Sequence, residues 1–287
     1  MTGLMTPTKD QITSFYKSAL QRSLDAYARL DDKEWAKNAA EPWLARDHLA
    51  HLAGTMADET MPLTKQALAG EKGHLDGFEK RTDMLPFRQR TVDRLKDKSP
   101  AELLQMLQTG YGEHITMLEA LSDADLDKPA TNPAWDVPGT VRDIFFGSYL
   151  FLPAQYQEIR KAAKKKLPHW IEDSSPDQVN YHMSRIFHYM PLIFRSDRGA
   201  DMTATYLFTM EGDGGGQWGV SIAGGKATSQ DGAPEPHDVE IKTKPENWID
   251  LSTGDLNPMW AITTRKVHLG GNMALALKLG DLFSSEE

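Results

Sequence analysis

The chain has 287 residues, of which 40% are hydrophobic and 25% are charged, a composition typical of folded globular proteins and not of disordered chains. Its formal net charge of −9 argues against general nucleic-acid binding, which requires clustered lysine and arginine. Because the sequence contains no cysteine, disulfides, thiolate metal ligands and a cysteine nucleophile are excluded. The length favours two domains, each large enough to enclose its own core.

The first part of the chain has a helical pattern. From Thr8 to about Lys166, apolar residues recur at spacings of three and four, which predicts amphipathic helices. The main predicted helices are Ile12–Leu30, Leu44–Leu68, a segment beginning at Ser99, and Thr140–Ala163, with a shorter helix between Asp83 and Lys96. Ser99 is a typical N-cap with Pro100 at the first helical position, whereas Pro153 is expected to kink or divide the last helix. We therefore predict an all-α four-helix bundle over residues 1–168.

A change of period marks the second domain. Residues 169–176, which contain prolines and serines but no apolar periodicity, are predicted to be a linker. Residues 177–287 combine a first helix, alternating strand patterns and a terminal helix. The predicted elements are a helix over Asp177–Phe194, strands at Thr203–Met210, Gln217–Ile222, Lys226–Thr228, Val239–Thr243 and Val267–Leu269, and helices at Pro245–Leu251 and Met273–Phe283. Segregated helices and strands indicate an α+β domain with a mostly antiparallel sheet.

Ordered motifs in this second half resemble the SCP2 family of sterol-carrier proteins. The strongest are Gly254-Asp255-Leu256-Asn257-Pro258 and Gly270-Gly271-Asn272, the latter followed by an apolar helix. Gly225-Lys226, Pro236-His237-Asp238 and Trp248 fall where the family has two turns and an aromatic helix residue. The resemblance implies a five-stranded sheet covered by helices, which together enclose an apolar tunnel for sterols, fatty acyl chains or related lipids.

Twelve apolar side chains are the predicted lining of that tunnel. They are Phe187, Met190, Trp248, Leu251, Leu256, Met259, Trp260, Ile262, Met273, Leu275, Leu277 and Phe283. Methionine adapts its shape, which suits irregular apolar ligands. The alternative is that the same residues only pack the core that any α+β domain needs.

The first half resembles the DinB and maleylpyruvate-isomerase N-terminal superfamily of helical bundles. The resemblance is carried by Trp43–Leu52, Ser99–Leu104, Leu121–Leu126 and Thr140–Ile144. In metal-binding relatives, one histidine of the second helix and two ligands of the last helix hold an ion. The matching positions here are His51, Phe151 and Gln155. Phenylalanine has no donor atom and a neutral amide is a poor zinc or nickel ligand, so we expect no metal and interpret His51 as a vestigial ligand, bonded to Gln155 or Glu59.

The function expected from these resemblances is binding or carriage of a hydrophobic small molecule, without catalysis and without a cofactor. The alternatives are a metal- and thiol-dependent isomerase or transferase, as in maleylpyruvate isomerases, and a purely structural interaction module. No apolar run approaches 18 residues, so stable membrane insertion is not expected. Without a recognisable secretory signal, a cytoplasmic location is the default expectation. Both families imply that the chain can form a homodimer.

Overall fold

A computed structural model describes residues 8–40, 43–163 and 166–283, so the predicted domain ends at residues 1 and 287 lie outside the described residues. The described chain forms two compact units. One contains residues 8–134 and 138–170, and the other contains residues 135–137 and 171–283. Of the predicted linker, residues 169 and 170 belong to the first unit. The Trp170 ring lies beneath the Arg22 guanidinium, 3.7 Å from its central carbon, and is 2% exposed.

The first unit is helical with two short hairpins. Its elements are α1 Lys9–Ala28, α2 Asp32–Trp35, β1 Asn38–Ala40, β2 Trp43–Leu44, α3 Ala45–Thr55, a π-helical turn Met56–Thr60, α4 Met61–Leu68, a 3₁₀ turn Arg81–Asp83, α5 Met84–Arg94, α6 Pro100–Ala120, α7 Asp123–Leu126, β3 Pro129–Ala130, β4 Gly139–Thr140 and α8 Val141–Ala162. Helix α1 packs against α6 and α8, and α3 packs against α5, α6 and α8. The four long predicted helices therefore share one core.

Local sequence signals place the helix ends of this unit. Ser99 caps α6 through its hydroxyl, Glu102 returns the bond to the Ser99 backbone, and Pro100 takes the first helical position as predicted. Thr8 and Gln11 form the same reciprocal cap on α1. Pro153 does not divide the last helix, because α8 continues through it. Tertiary packing of that amphipathic helix outweighs the loss of one backbone hydrogen bond.

A buried polar network crosses the bundle core. The Tyr16 hydroxyl lies 3.2 Å from Nδ1 of His114 and 2.5 Å from the hydroxyl of Ser148. Nε2 of His114 lies 3.2 Å from Oγ1 of Thr64, so both ring nitrogens are partnered. The His114 ring also stacks on Phe145 with centroids 4.1 Å apart. This network joins α1, α4, α6 and α8.

The second unit contains helices and one five-stranded sheet. Its elements are α9 Pro176–Ile193, α10 Ser196–Gly199, β5 Ala204–Met210, β6 Gly216–Ala223, β7 Lys226–Asp231, β8 Val239–Thr243, α11 Pro245–Ser252, α12 Pro258–Thr263, β9 Val267–Gly271 and α13 Met273–Leu282. The strand order is β7-β6-β5-β8-β9. In the register, Phe208 of β5 is paired with Trp218 of β6 and Ile241 of β8.

The sheet is mixed. Strands β7, β6 and β5 form an antiparallel meander and β8 is antiparallel to β9, but β5 and β8 run parallel. The sequence-based description of a mostly antiparallel five-stranded sheet therefore omitted one parallel pair. Adjacent strands joined by tight turns must be antiparallel, whereas the longer β7–β8 connection lets β8 return beside β5 in the same direction. Among the described helices, none is long and apolar enough to cross a membrane.

Candidate functional site

The sheet of the second unit has one apolar face and one polar face. Alternating residues point to the same side of each strand, and paired residues of neighbouring strands share a face. The apolar face carries Ala204, Tyr206, Phe208, Met210, Trp218, Val220, Ile222, Val239, Ile241 and Val267, all of them buried. On the other face, Thr205, Thr209, Glu240 and Lys242 are half-buried. Helices α9 and α13 cover the apolar face by packing on β6–β7 and β8–β9 respectively.

An aromatic cluster occupies the space between this face and its helices. We define the aromatic cluster as Phe187, Phe208, Trp218 and Trp248. The Phe187 ring of α9 stacks on Phe208 and Trp218, with centroids 4.5 and 5.2 Å apart. Trp248 of α11 lies 5.5 Å from Phe187 and 5.2 Å from Phe208. The strand residues Phe208 and Trp218 were missing from the predicted lining. Alternation shows which residues of one strand share a side, but only the pairing of β5 with β6 brings these two together.

The predicted lining residues occupy three environments. Phe187, Met190 and Leu256 are buried. Partial exposure is found for Trp248, Leu251, Ile262, Leu275 and Phe283. Four side chains are on the surface: Met259 at 62%, Trp260 at 61%, Met273 at 48% and Leu277 at 59% exposure. We call these four, which belong to α12 and α13, the apolar rim.

Helix α13 is held mainly through its ends and one internal contact. The Tyr206 hydroxyl donates to the Leu275 carbonyl at 3.1 Å, and Asn272 caps the helix by accepting from the Ala274 and Leu275 amides. Leu282 is 1% exposed. Burial, followed by the nearby Asp238 carboxylate, raises the pKa of Tyr206 to about 12. Tyr206 is therefore protonated at neutral pH and remains a donor to the helix.

Two cavities lie away from the aromatic cluster. A cavity of about 500 Å³ in the first unit is bordered by residues 67–72 and 128–131. A second, of about 350 Å³, is bordered by Arg198, Lys278, Asp281 and Leu282. Neither contains a residue of the predicted tunnel lining. Over the apolar sheet face, the four rings of the aromatic cluster pack against one another.

The bundle brings together the three positions predicted from metal-binding relatives. His51 is 2% exposed, and its ring lies 4.8 Å from the Trp43 ring and 5.9 Å from the Phe151 ring. Thr55 donates its hydroxyl hydrogen to the His51 carbonyl at 2.7 Å, so Nδ1 of His51, 3.0 Å from the same oxygen, is the donor in that contact. Burial, with smaller contributions from Arg88 and His48, holds the pKa of His51 well below its usual value.

Gln155, one of the two hydrogen-bond partners expected for His51, is bonded to the neighbouring His48 instead. Oε1 of Gln155 lies 2.5 Å from Nδ1 of His48, one helical turn before His51. The predicted bond from His51 to Gln155 or Glu59 is therefore wrong, and Thr55 takes that place. Residues three apart lie side by side on a helix, so sequence spacing alone did not separate the two histidines.

An internal ion pair is located next to His51. Arg88 of α5 donates through Nε and Nη2 to the two carboxylate oxygens of Glu59 at 3.2 and 3.1 Å. The Glu59 and Arg88 side chains are only 5% and 15% exposed. Cζ of Arg88 also lies 4.9 Å from the Phe151 ring centroid, a cation–π contact. Glu59 belongs to the π-helical turn Met56–Thr60, which displaces it from the regular helical register.

These residues do not fit a transition-metal centre. His51 offers one nitrogen, Phe151 offers none, and the Gln155 amide oxygen is bonded to His48. Glu59 has both carboxylate oxygens bonded to Arg88. Within the described ranges, no three histidine, cysteine, aspartate or glutamate side chains are grouped closely enough to hold a metal ion. The local chemistry is that of a neutral histidine beside a buried ion pair.

A match to a known protein family is found within the second unit. Residues 195–284 match the model of the SCP-2 sterol transfer family. Human hydroxysteroid dehydrogenase-like protein 2 is 32% identical over 82 residues, which are 28% of this chain and 20% of the human protein. The rat protein of the same name is 34% identical over 86 residues, or 28% and 16% of the two chains. The chain thus spans about one fifth of the length of these curated relatives.

The fold of nearly the whole chain also has a known counterpart. The crystal structure of the mycothiol-dependent maleylpyruvate isomerase covers 87% of this chain and 90% of its own, with a TM-score of 0.57 and 11% sequence identity. Identity this low establishes shared fold and nothing about activity. Both resemblances drawn from the sequence are therefore confirmed: residues 195–284 match the SCP-2 sterol transfer family, and the chain has the fold of the maleylpyruvate isomerase.

Proposed function

We propose that the second unit binds or carries a hydrophobic small molecule, such as a fatty acyl chain or a sterol-like lipid, between the apolar face of its sheet and helices α9, α11, α12 and α13. The observation that carries the proposal is the one-sided sheet within the segment that matches the SCP-2 family. The four residues of the apolar rim, which belong to two of the helices beside this sheet, are exposed. Large exposed apolar side chains that form a patch are typical of a ligand or partner site.

The energetics of such binding require no catalytic group. Burying one methylene contributes about 0.8 kcal/mol, so ten methylenes contribute roughly 8 kcal/mol before ordering costs, or about micromolar affinity. Because the aromatic cluster fills the interior, a ligand enters only if a covering helix moves. Helix α13 suits this role, since Tyr206 bonds to it by a single side-chain hydrogen bond and the outward side of the helix is apolar.

The test is a calorimetric titration of delipidated full-length protein with dodecanoic acid. Saturable binding of about one equivalent with micromolar affinity supports the proposal. Leu85→Gln is the control for changes of exposed apolar residues to glutamine in the apolar rim, because Leu85 is 53% exposed on α5 of the other unit. Absence of saturable binding by dodecanoic acid, a long-chain acyl-CoA and a sterol analogue would reject the proposal.

A metal- and thiol-dependent isomerase is the second candidate, and the fold shared with the maleylpyruvate isomerase over most of both chains favours it. The donor set around His51 opposes it, because Phe151 and Gln155 replace two ligands. Elemental analysis of purified protein separates the candidates. Stoichiometric zinc or nickel that is lost in His51→Ala, together with thiol-dependent isomerase activity, would favour the enzyme over the carrier.

A further inference from the structure

Two indole N–H groups of the aromatic cluster have no hydrogen-bond acceptor among the described residues. The Trp218 side chain is wholly buried, and Trp248 is partly exposed although its Nε1 atom is itself buried. The other two members of the cluster, Phe187 and Phe208, provide no acceptor. Native structures leave few buried donors unsatisfied, and each such group calls for an explanation.

Another tryptophan of this unit has its indole N–H satisfied within the protein. Nε1 of Trp135 donates to the Tyr189 hydroxyl at 2.7 Å, so that indole has a partner within the protein. Trp218 and Trp248 instead both lie within 5.5 Å of the Phe187 ring, measured between centroids. Two indole donors without an acceptor therefore lie around one phenylalanine ring.

A buried N–H without an acceptor has lost its hydrogen bond to water and gained nothing in return. A purely hydrocarbon ligand in the aromatic cluster would leave that loss unchanged. A ligand that brings an oxygen acceptor recovers it, and the recovered hydrogen bond adds to the affinity. The gain is available only if the polar end of the ligand, and not its tail, reaches the cluster.

We infer that the ligand is an amphiphile whose hydrogen-bond acceptor, a carboxylate, ester or hydroxyl oxygen, enters first and bonds to the indole N–H groups of Trp218 and Trp248. Its apolar chain then extends toward the apolar rim. This inference rests on the proposed function and specifies the ligand class and its orientation. Trp248, which reaches the surface on α11, is the first donor that the entering group meets.

Two probes of equal chain length test the inference on the full-length protein: dodecanoic acid, which has an acceptor, and 1-bromododecane, which has no strong one. Their dissociation constants are measured by competition for wild type, Trp218→Phe, Trp248→Phe and the control Trp135→Phe. A cavity left by phenylalanine changes both probes alike, whereas loss of a ligand hydrogen bond weakens only the acid. We expect about tenfold weaker acid binding in Trp218→Phe or Trp248→Phe, with the bromide within about twofold.

A spectroscopic measurement guards against a variant that fails to fold. In ¹⁵N-labelled wild-type protein, the indole N–H signals of Trp218 and Trp248 are expected to shift downfield with dodecanoic acid and not with 1-bromododecane. If both probes bind and neither the acid-to-bromide ratio nor these signals respond, the inference is wrong while the carrier function stands. If neither probe binds, and a long-chain acyl-CoA and a sterol analogue do not bind either, the proposed function fails and the inference falls with it.

Discussion

At the scale of single residues, the neighbourhood of His51 shows how an ion pair occupies a bundle interior. Glu59 and Arg88 satisfy each other through two hydrogen bonds in a region with little solvent. Such a pair contributes little net stability against a hydrophobic alternative, but removing one partner leaves a buried charge without compensation. The identity of residue 88 is therefore expected to matter for folding.

Arg88→Met is predicted to lower the free energy of unfolding by about 3–5 kcal/mol, because Glu59 is left charged and buried. The double variant Arg88→Met/Glu59→Gln is expected to recover most of that loss, since the carboxylate is removed as well. Urea unfolding of the wild type and both variants measures the difference. A double variant no more stable than the single one would contradict this account.

Among single residues, His114 is expected to make the free energy of unfolding depend on pH. Burial lowers the pKa of His114 to about 3 in the folded protein, against about 6.5 for an ordinary histidine. Between these two pKa values, His114 binds a proton in the unfolded state but not in the folded state. The free energy of unfolding must therefore fall as the pH falls from 6.5 toward 3. His51 contributes in the same direction, because its pKa is also lowered.

We predict that His114→Asn flattens this dependence. The wild type loses stability from His114 with a slope that approaches about 1.4 kcal/mol per pH unit below pH 6.5, and the variant lacks this contribution. Urea unfolding at several pH values between 6.5 and 5 measures the slope, a range in which most ordinary carboxylates remain ionised. Equal slopes for wild type and variant would mean that His114 is protonated in the folded core.

At the scale of elements, the end of β9 depends on a glycine that no other residue replaces. Gly271 has a φ of +76°, and a Cβ at this position would lie 2.1 Å from the Asp238 carbonyl oxygen. That carbonyl also accepts from the Asn272 amide at 2.8 Å, which holds the two segments of the chain close together. The close approach sets the start of α13 beside β8.

Gly271→Ala is therefore predicted to destabilise the second unit more than Gly254→Ala does. Gly254 has a similar φ of +72° but no atom within 4 Å of the added Cβ. Gly254→Ala is expected to lower the free energy of unfolding only by the cost of a left-handed backbone, about 1–2 kcal/mol. Gly271→Ala adds a steric clash that costs about 1–3 kcal/mol more. Denaturant unfolding compares the two, and equal losses would show that the strand end relaxes freely.

The apolar rim gives a second prediction at this scale. In Met273→Gln/Leu277→Gln, both altered side chains are exposed, so each change is expected to alter the free energy of unfolding by less than about 0.5 kcal/mol. If these residues contact the ligand, dodecanoic acid should bind about tenfold more weakly, the loss of one or two methylenes of contact. Unchanged affinity in a stably folded variant would remove α13 from the ligand site.

At the scale of the whole molecule, the proposed function links ligand binding to stability. A ligand that binds only the folded state raises the free energy of unfolding by about 2.7 kcal/mol at one hundred times its dissociation constant. Dodecanoic acid is expected to raise the thermal midpoint in this way, whereas butanoic acid, with the same carboxyl group and a short chain, should not. Thermal unfolding followed by tryptophan fluorescence measures both, and equal midpoints with and without dodecanoic acid would contradict the link.

Local sequence patterns were sufficient for most helices and strands and for both family resemblances. The cap formed by Ser99 and Glu102, the alternation in Val239–Thr243 and the left-handed backbone of Gly271 at the end of β9 each depend on residues close together in the chain. Short-range sterics and hydrogen bonding decide such features, so they can be read without knowing the fold. The prediction that Phe151 and Gln155 stand at the metal-ligand positions of relatives likewise depended on residue identity.

Tertiary structure alone decided which side chains meet. In the structure β8 runs parallel to β5, and Gln155 is hydrogen-bonded to His48 instead of His51. Arg88 forms an ion pair with Glu59. It also divided the twelve predicted lining residues between the core and the surface, and added Phe208 and Trp218 to Phe187 and Trp248. These outcomes depend on contacts between distant parts of the chain, and apolar periodicity specifies which side of an element is buried but not what it is buried against.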